Sequence, residues 1–137
     1  MSTASFGLDY WCVLIAAALP VVCAGIAKSK AFGKPVEQGG YDNANPRQWL
    51  LRQSDWRARA NAAQANSFEA LPFFIGAVLI AHQLGADQAL LNGLAVAYIG
   101  LRIAYIAAYV GNQASLRSLV WVSALAVNMA ILFAGYR

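Results

Sequence analysis

The sequence predicts an all-α integral membrane protein, a single four-helix transmembrane bundle covering residues 1–137. Three observations predict it. Hydrophobic residues make up 60% of the chain and charged residues 12%, against roughly 45–50% and about 25% in soluble domains. The apolar residues gather into four long runs, each close to the ~20 residues that span a hydrocarbon core. The basic residues collect beside those runs, which is where membrane topology is set. The formal net charge of +4 therefore gives no case for a nucleic-acid partner, since no basic stripe or stacking motif accompanies it.

The first run extends from about residue 10 to 27. Small residues at Ala24–Ala27 invite comparison with a cleaved leader. However, Met1–Asp9 carries no positive charge, and Lys28, Lys30 and Lys34 follow the run like a stop-transfer flank. It reads as a retained helix with Pro20 as a kink. Cys12 and Cys23 would stand roughly 16 Å apart on that helix, too far for a bridge, and read as packing residues. No zinc spacing occurs and His82 is the sole histidine, so no metal is expected.

Residues 29–56 form the one long polar stretch, broken by Gly33, Pro35, Gly39, Gly40, Asn43, Asn45 and Pro46. Such punctuation predicts a loop with short turns, with Trp49 and Trp56 at headgroup level. A second helix is expected over about 52–84, polar from Arg57 to Glu69, then apolar, with Pro72 inside it. A third follows over about 89–110 and a fourth over about 116–134. Lys28, Lys30, Lys34, Arg47, Arg52, Arg57 and Arg59 lie in or beside loop one, and Arg117 ends loop three. Loop two has only Asp87. The positive-inside rule then puts loops one and three in the cytoplasm and both termini on the opposite side.

Ionisable groups within membrane helices are costly and usually mark function or a structural pair. Glu69 and Arg102 both lie about 15 Å from the loop-one and loop-three ends of their helices, and a contact would lower the cost of each. Arg52, Asp55, Arg59, Asn66 and Glu69 share one face at helical spacing, and Tyr98, Arg102, Tyr105 and Tyr109 share another. A cleft between these faces would suit a small, multiply charged, hydrogen-bonding ligand. Arg57, Asn61 and Gln64 form a second polar face, which lipid would not tolerate and which argues for self-association. Plainer roles are also open. Glu69–Arg102 would serve as a structural pair, the tyrosines as packing, and Arg52, Arg57 and Arg59 as topology signals. His82 would be a capping or headgroup residue, and Trp11 and Trp121 interfacial anchors.

The run Arg59-Ala-Asn-Ala-Ala-Gln-Ala-Asn66-Ser-Phe-Glu69-Ala-Leu-Pro72 resembles the signature of the membrane-associated proteins in eicosanoid and glutathione metabolism, the MAPEG family. Arg102-Ile-Ala-Tyr105-Ile-Ala-Ala-Tyr109, followed by Leu116-Arg117-Ser118, is similar to the family's third-helix and third-loop pattern. The resemblance implies four-helix subunits in a homotrimer, with glutathione as cosubstrate between neighbouring subunits near the cytoplasmic side. It implies that Asn66, Glu69, Arg102, Tyr105 and Tyr109 hold glutathione, with Gln64 reaching a neighbour's site. Arg117 and Ser118 would be catalytic, sitting by the thiol. The family pattern has an arginine four residues before the motif asparagine. Here that position is Ala62, and Arg59, one turn earlier, is the candidate substitute.

The implied activity is a glutathione-dependent transferase or peroxidase acting on lipophilic electrophiles or lipid hydroperoxides, the second substrate arriving from membrane lipid. The alternative, favoured by Ala62, is a non-enzymatic member that binds lipid or serves as an accessory membrane subunit. A small exporter using Glu69 is disfavoured, because the arginines of helix two repel cations.

Overall fold

The computed structural model describes residues 5–137, and the start of the segment compared with a leader, residues 1–4, lies outside them. The helices are α1 (Leu8–Lys28), α2 (Pro46–Leu51), α3 (Trp56–Gln83), α4 (Gln88–Val110) and α5 (Ala114–Leu132), with one 3-10 turn at Val36–Gln38. Among the described residues there is no strand. α1, α3, α4 and α5 are each long and apolar enough to cross a membrane. The protein is an all-α, multi-pass membrane bundle.

Small side chains set the packing. Cys12, Ala16, Cys23 and Ala27 are buried along one stripe of α1, facing a neighbour in α3 that buries Ala60, Ala63, Ser67, Ala77 and Ala81. In lipid, helices associate by close packing and interhelical hydrogen bonds rather than by expelling water, so small residues at the seam let backbones approach. Both cysteines are free and belong to this seam. α4 lies chiefly on α5, and α3 joins the two pairs. At the centre Phe74 stacks on Tyr98 with ring centroids 4.3 Å apart.

The second long helix starts at Trp56 rather than near residue 52, because Asp55 caps it by accepting from the Arg57 N–H at 3.0 Å. The residues before it form α2, which Pro46 opens and Arg52 ends. Arg52 and Asp55 therefore lie off the α3 face assigned to them, which reduces to Arg59, Asn66 and Glu69. α3 is 28 residues long, about 42 Å at helical rise, so its polar first turns extend beyond a ~30 Å hydrocarbon core. α5 begins two residues earlier than the expected 116.

The polar loop folds back as a cap. Trp49 and Leu50 pack with Ala27, Ala31 and Ala60, Tyr41 meets Trp49 edge-on at 5.1 Å, and the Tyr41 N–H donates to the Ala31 carbonyl at 3.0 Å. Trp49 is 5% exposed, so it is core for this cap rather than a headgroup anchor. Gly40 is required there, since a Cβ would fall 1.9 Å from the Lys34 carbonyl oxygen.

The opposite end holds a polar cluster that the sequence does not disclose. Asp9 is fully buried, pairs with His82 Nε2 and accepts from Gln88 Nε2 at 3.0 Å. Asn92 Oδ1 accepts from the Asp9 N–H at 3.2 Å and from Gln88 Nε2 at 2.7 Å. His82, expected at a helix end or headgroup, instead ties α3 to α1. A buried carboxylate demands such partners.

Candidate functional site

Two adjoining recesses open between α3, α4 and α5. The outer one, about 320 Å³, is lined by Asn66, Tyr105, Tyr109, Arg117, Ser118, Trp121 and Val122. The inner one, about 180 Å³, is lined by Asn66, Glu69, Phe73, Tyr98, Arg102, Trp121, Leu125 and Asn128, with Ala70. Asn66 and Trp121 border both, so the two lie side by side. On α5 the wall is a single stripe, Arg117, Trp121, Leu125 and Asn128, running about 16 Å from the first turn toward the helix middle.

The α4 wall follows the predicted face. Tyr98, Arg102 and Tyr105 are buried and Tyr109 is half-buried. Arg102, 3% exposed, donates from Nη2 to Asn66 Oδ1 at 2.7 Å. Its guanidinium lies 4.4 Å from the Tyr105 ring centroid. Tyr105 meets Tyr109 edge-on at 5.7 Å, and Arg117 lies 4.6 Å over the Tyr109 ring. From Arg102 to Arg117 the order is thus cation, ring, ring, cation, and each contact orients the next group.

The faces of α3 and α4 meet as expected, through a different residue. Asn66, not Glu69, engages Arg102, and among the described residues no Glu69–Arg102 ion pair forms. Three residues of helix are only about 4.5 Å of rise, finer than a depth counted from helix ends resolves. Glu69 lines the inner recess with an exposed side chain.

Arg59 donates from Nε to the Val110 carbonyl at 3.1 Å and holds the last turn of α4. It borders neither recess. Gln64 lies on another side of α3, in a groove of about 450 Å³ shared with Arg47, Asn61 and Ala62. Arg57 does not join that second polar face. It turns inward, donating to the Ser29 carbonyl at 3.1 Å, lying 3.6 Å from Asp55 and stacking over Trp56 at 4.4 Å.

Asn128 is not among the residues that the sequence marks out, and Trp121 reads there only as an anchor. The available signal is position: Trp121 follows Arg117 by one turn, and Asn128 is the lone amide in the apolar run 119–133. Among the described residues, no cluster of three or more His, Cys, Asp or Glu is placed to hold a metal. The cleft instead offers two guanidiniums, a carboxylate, two amides, a hydroxyl and three phenols.

The MAPEG family model matches residues 8–136. Neither the curated proteins nor the solved structures contain a match to the chain. Nearly the whole chain is covered, its four long apolar helices form the bundle, and the chain therefore belongs to the MAPEG family, membrane proteins related to glutathione and eicosanoid metabolism.

Proposed function

We propose that the protein is a glutathione-dependent transferase or peroxidase acting on lipophilic electrophiles or lipid hydroperoxides through a thiolate stabilised by Arg117. One observation carries the proposal: Asn66, Glu69, Arg102, Tyr105, Tyr109, Arg117 and Ser118 all border two adjoining recesses that share Asn66 and Trp121. The donor set fits a charged tripeptide. Arg102, Tyr105 and Tyr109 serve its carboxylate and peptide groups, Asn66 its backbone, and Glu69 its amino group. Arg59 borders neither recess and would have to release the Val110 carbonyl to reach the ligand. Gln64 serves the site of a neighbouring subunit in a homotrimer.

Arg117 and Ser118 stand by the thiol. A guanidinium stays charged and favours the thiolate over the thiol, and the thiolate is the nucleophile. α5 begins three residues before Arg117 with no side-chain cap on its first N–H groups, so its positive dipole end adds to the same field. In a transfer, the sulfur forms a bond to the electrophilic carbon and the leaving group departs with its electron pair. In a peroxide reduction, sulfur attacks the terminal oxygen, the O–O bond breaks and the alkoxide takes a proton. A second glutathione then displaces water to give the disulfide.

Loops one and three facing the cytoplasm would put the outer recess on the side that holds glutathione, with the lipophilic substrate entering from the bilayer. Calorimetry on the purified protein tests this, together with the ultraviolet absorbance of bound thiolate. Binding with thiolate present at neutral pH is expected, and Arg117→Ala should remove the thiolate signal while binding persists. Absence of glutathione binding would overturn the proposal. Ala62, together with the engagement of Arg59 by Val110, favours a second reading in which the cleft holds lipid without turnover. An acyl chain copurifying in the cleft of an inactive protein would establish it.

A further inference from the structure

The inner recess holds a polar group that none of the proposed glutathione contacts uses. Asn128 is 3% exposed, and its Oδ1 is buried without a hydrogen-bond partner. A buried acceptor left unsatisfied is costly, and native proteins rarely keep one without a reason. Rotation about the last side-chain bond, which is broad for an amide, turns that oxygen toward the recess that Asn128 lines.

The neighbouring charges decide which donor suits it. Glu69 lines the same recess with an exposed side chain, and among the described residues no cation pairs with it. An ionised carboxylate only accepts, so the recess presents two acceptors, one of them anionic. A primary ammonium brings a positive charge and three N–H donors, enough for both. Arg102 stands in the same recess and suits a carboxylate. An ammonium and a carboxylate on one carbon therefore match the lining and leave no charge unpaired among the apolar side chains of Phe73 and Leu125.

We propose that Asn128 is a specificity-determining residue for glutathione, accepting a hydrogen bond from the α-ammonium of its γ-glutamyl residue beside Glu69, while Arg102 takes the α-carboxylate of the same residue. The inference rests on the glutathione function proposed above and deepens it, because it makes the free amino group the feature by which the inner recess selects its ligand. Asn128 lies about 16 Å along α5 from Arg117. The chain from the amino nitrogen of glutathione to its sulfur spans about 10 Å when extended, and the side chains of Arg117 and Asn128 cover the rest.

Calorimetry on the purified full-length protein in lipid nanodiscs compares glutathione with glutaryl-cysteinylglycine, which keeps both carboxylates and the thiol and lacks only the amino group. Wild type should bind glutathione more tightly. A hydrogen bond to a charged group is worth about tenfold or more in affinity. Asn128→Leu should therefore narrow the preference by about tenfold and leave the affinity for the glutaryl analogue near the wild-type value. Asn128→Ser, which keeps an acceptor, should retain part of the preference. A purely structural role would weaken both ligands alike, and a preference undiminished in Asn128→Leu would leave the amide to a water. Either result overturns the proposal, as does equal wild-type affinity for the two ligands. If the leucine variant fails to fold by circular dichroism, the serine variant decides by the same comparison. Absence of glutathione binding in wild type removes the function proposed above and this inference with it. Glutathione binding that Asn128→Leu weakens no more than it weakens the analogue removes this inference alone.

Discussion

Arg102 carries its own evidence of a partner. A guanidinium in an apolar run is too costly to stand alone, and the i, i+4, i+7 spacing with Tyr98, Tyr105 and Tyr109 gives the face on which to seek that partner. The choice of Asn66 over Glu69 is not legible in the sequence, because it depends on one turn of relative helix height. Asn66→Ala leaves the buried Arg102 guanidinium without its side-chain acceptor, which should cost about 1–3 kcal/mol. A lowered thermal midpoint in detergent would register that loss, and an unchanged midpoint would show that Arg102 has another partner. Arg117 acts differently, since it is partly exposed and held by the Tyr109 ring. If it stabilises a thiolate, the bound thiol titrates below the usual cysteine range, and turnover rises as pH passes through that lowered value. Arg117→Ala should move the midpoint of the pH–rate profile upward by on the order of one unit. Arg117→Lys should recover part of the shift, because charge is kept while the planar stacking is lost. A midpoint unmoved in the alanine variant would remove Arg117 from thiolate stabilisation.

Among the elements, the four long helices are readable in the sequence because each apolar run matches a bilayer in length and is bounded by charge, Gly or Pro. The short elements are not. α2 holds only six residues, and what stabilises it is tertiary, namely Trp49 and Leu50 packed against the ends of α1 and α3. The anchor of α1 is equally hidden. Asp9 looks like a solvated charge ahead of an apolar run, and only folding places it beside His82 and Gln88, residues more than seventy positions away. This cluster ties the first helix to α3 and α4 at the end opposite the cleft, and small residues along the seam do the rest. His82→Ala removes one partner of a fully buried carboxylate, so the variant should lose about 1–3 kcal/mol. The loss should appear as an earlier thermal transition and faster proteolytic release of α1. Glutathione affinity should stay near the wild-type value, since the cleft lies at the other end of the bundle. A selective loss of affinity without loss of stability would mean that the two ends are coupled.

At the scale of the whole molecule, a single copy leaves polar groups open on two sides of α3. Glu69 is exposed on the cleft side of α3, and Asn61 and Gln64 line a groove on another side. Lipid cannot satisfy such groups, whereas a homotrimer covers both surfaces at once. Native mass spectrometry from mild detergent should show three copies, and a monomer would leave Gln64 without its proposed site. Orientation can be tested with the protein's own chemistry, because Cys12 and Cys23 are both buried in the helix seam and should give little background with a membrane-impermeant maleimide. Lys34 is exposed in loop one, and Tyr136, 78% exposed, lies beyond α5 at the opposite end. In sealed cells, Tyr136→Cys should react from outside, and Lys34→Cys only after permeabilisation. The outer recess lies at the same end as loop one, since Arg117 occupies the first turns of α5. Labelling of Lys34→Cys in intact cells would turn that recess away from the cytoplasm, where glutathione is held. The cleft would then have to draw its ligand from the other side of the membrane, and the thiolate mechanism would lose its supply of thiol.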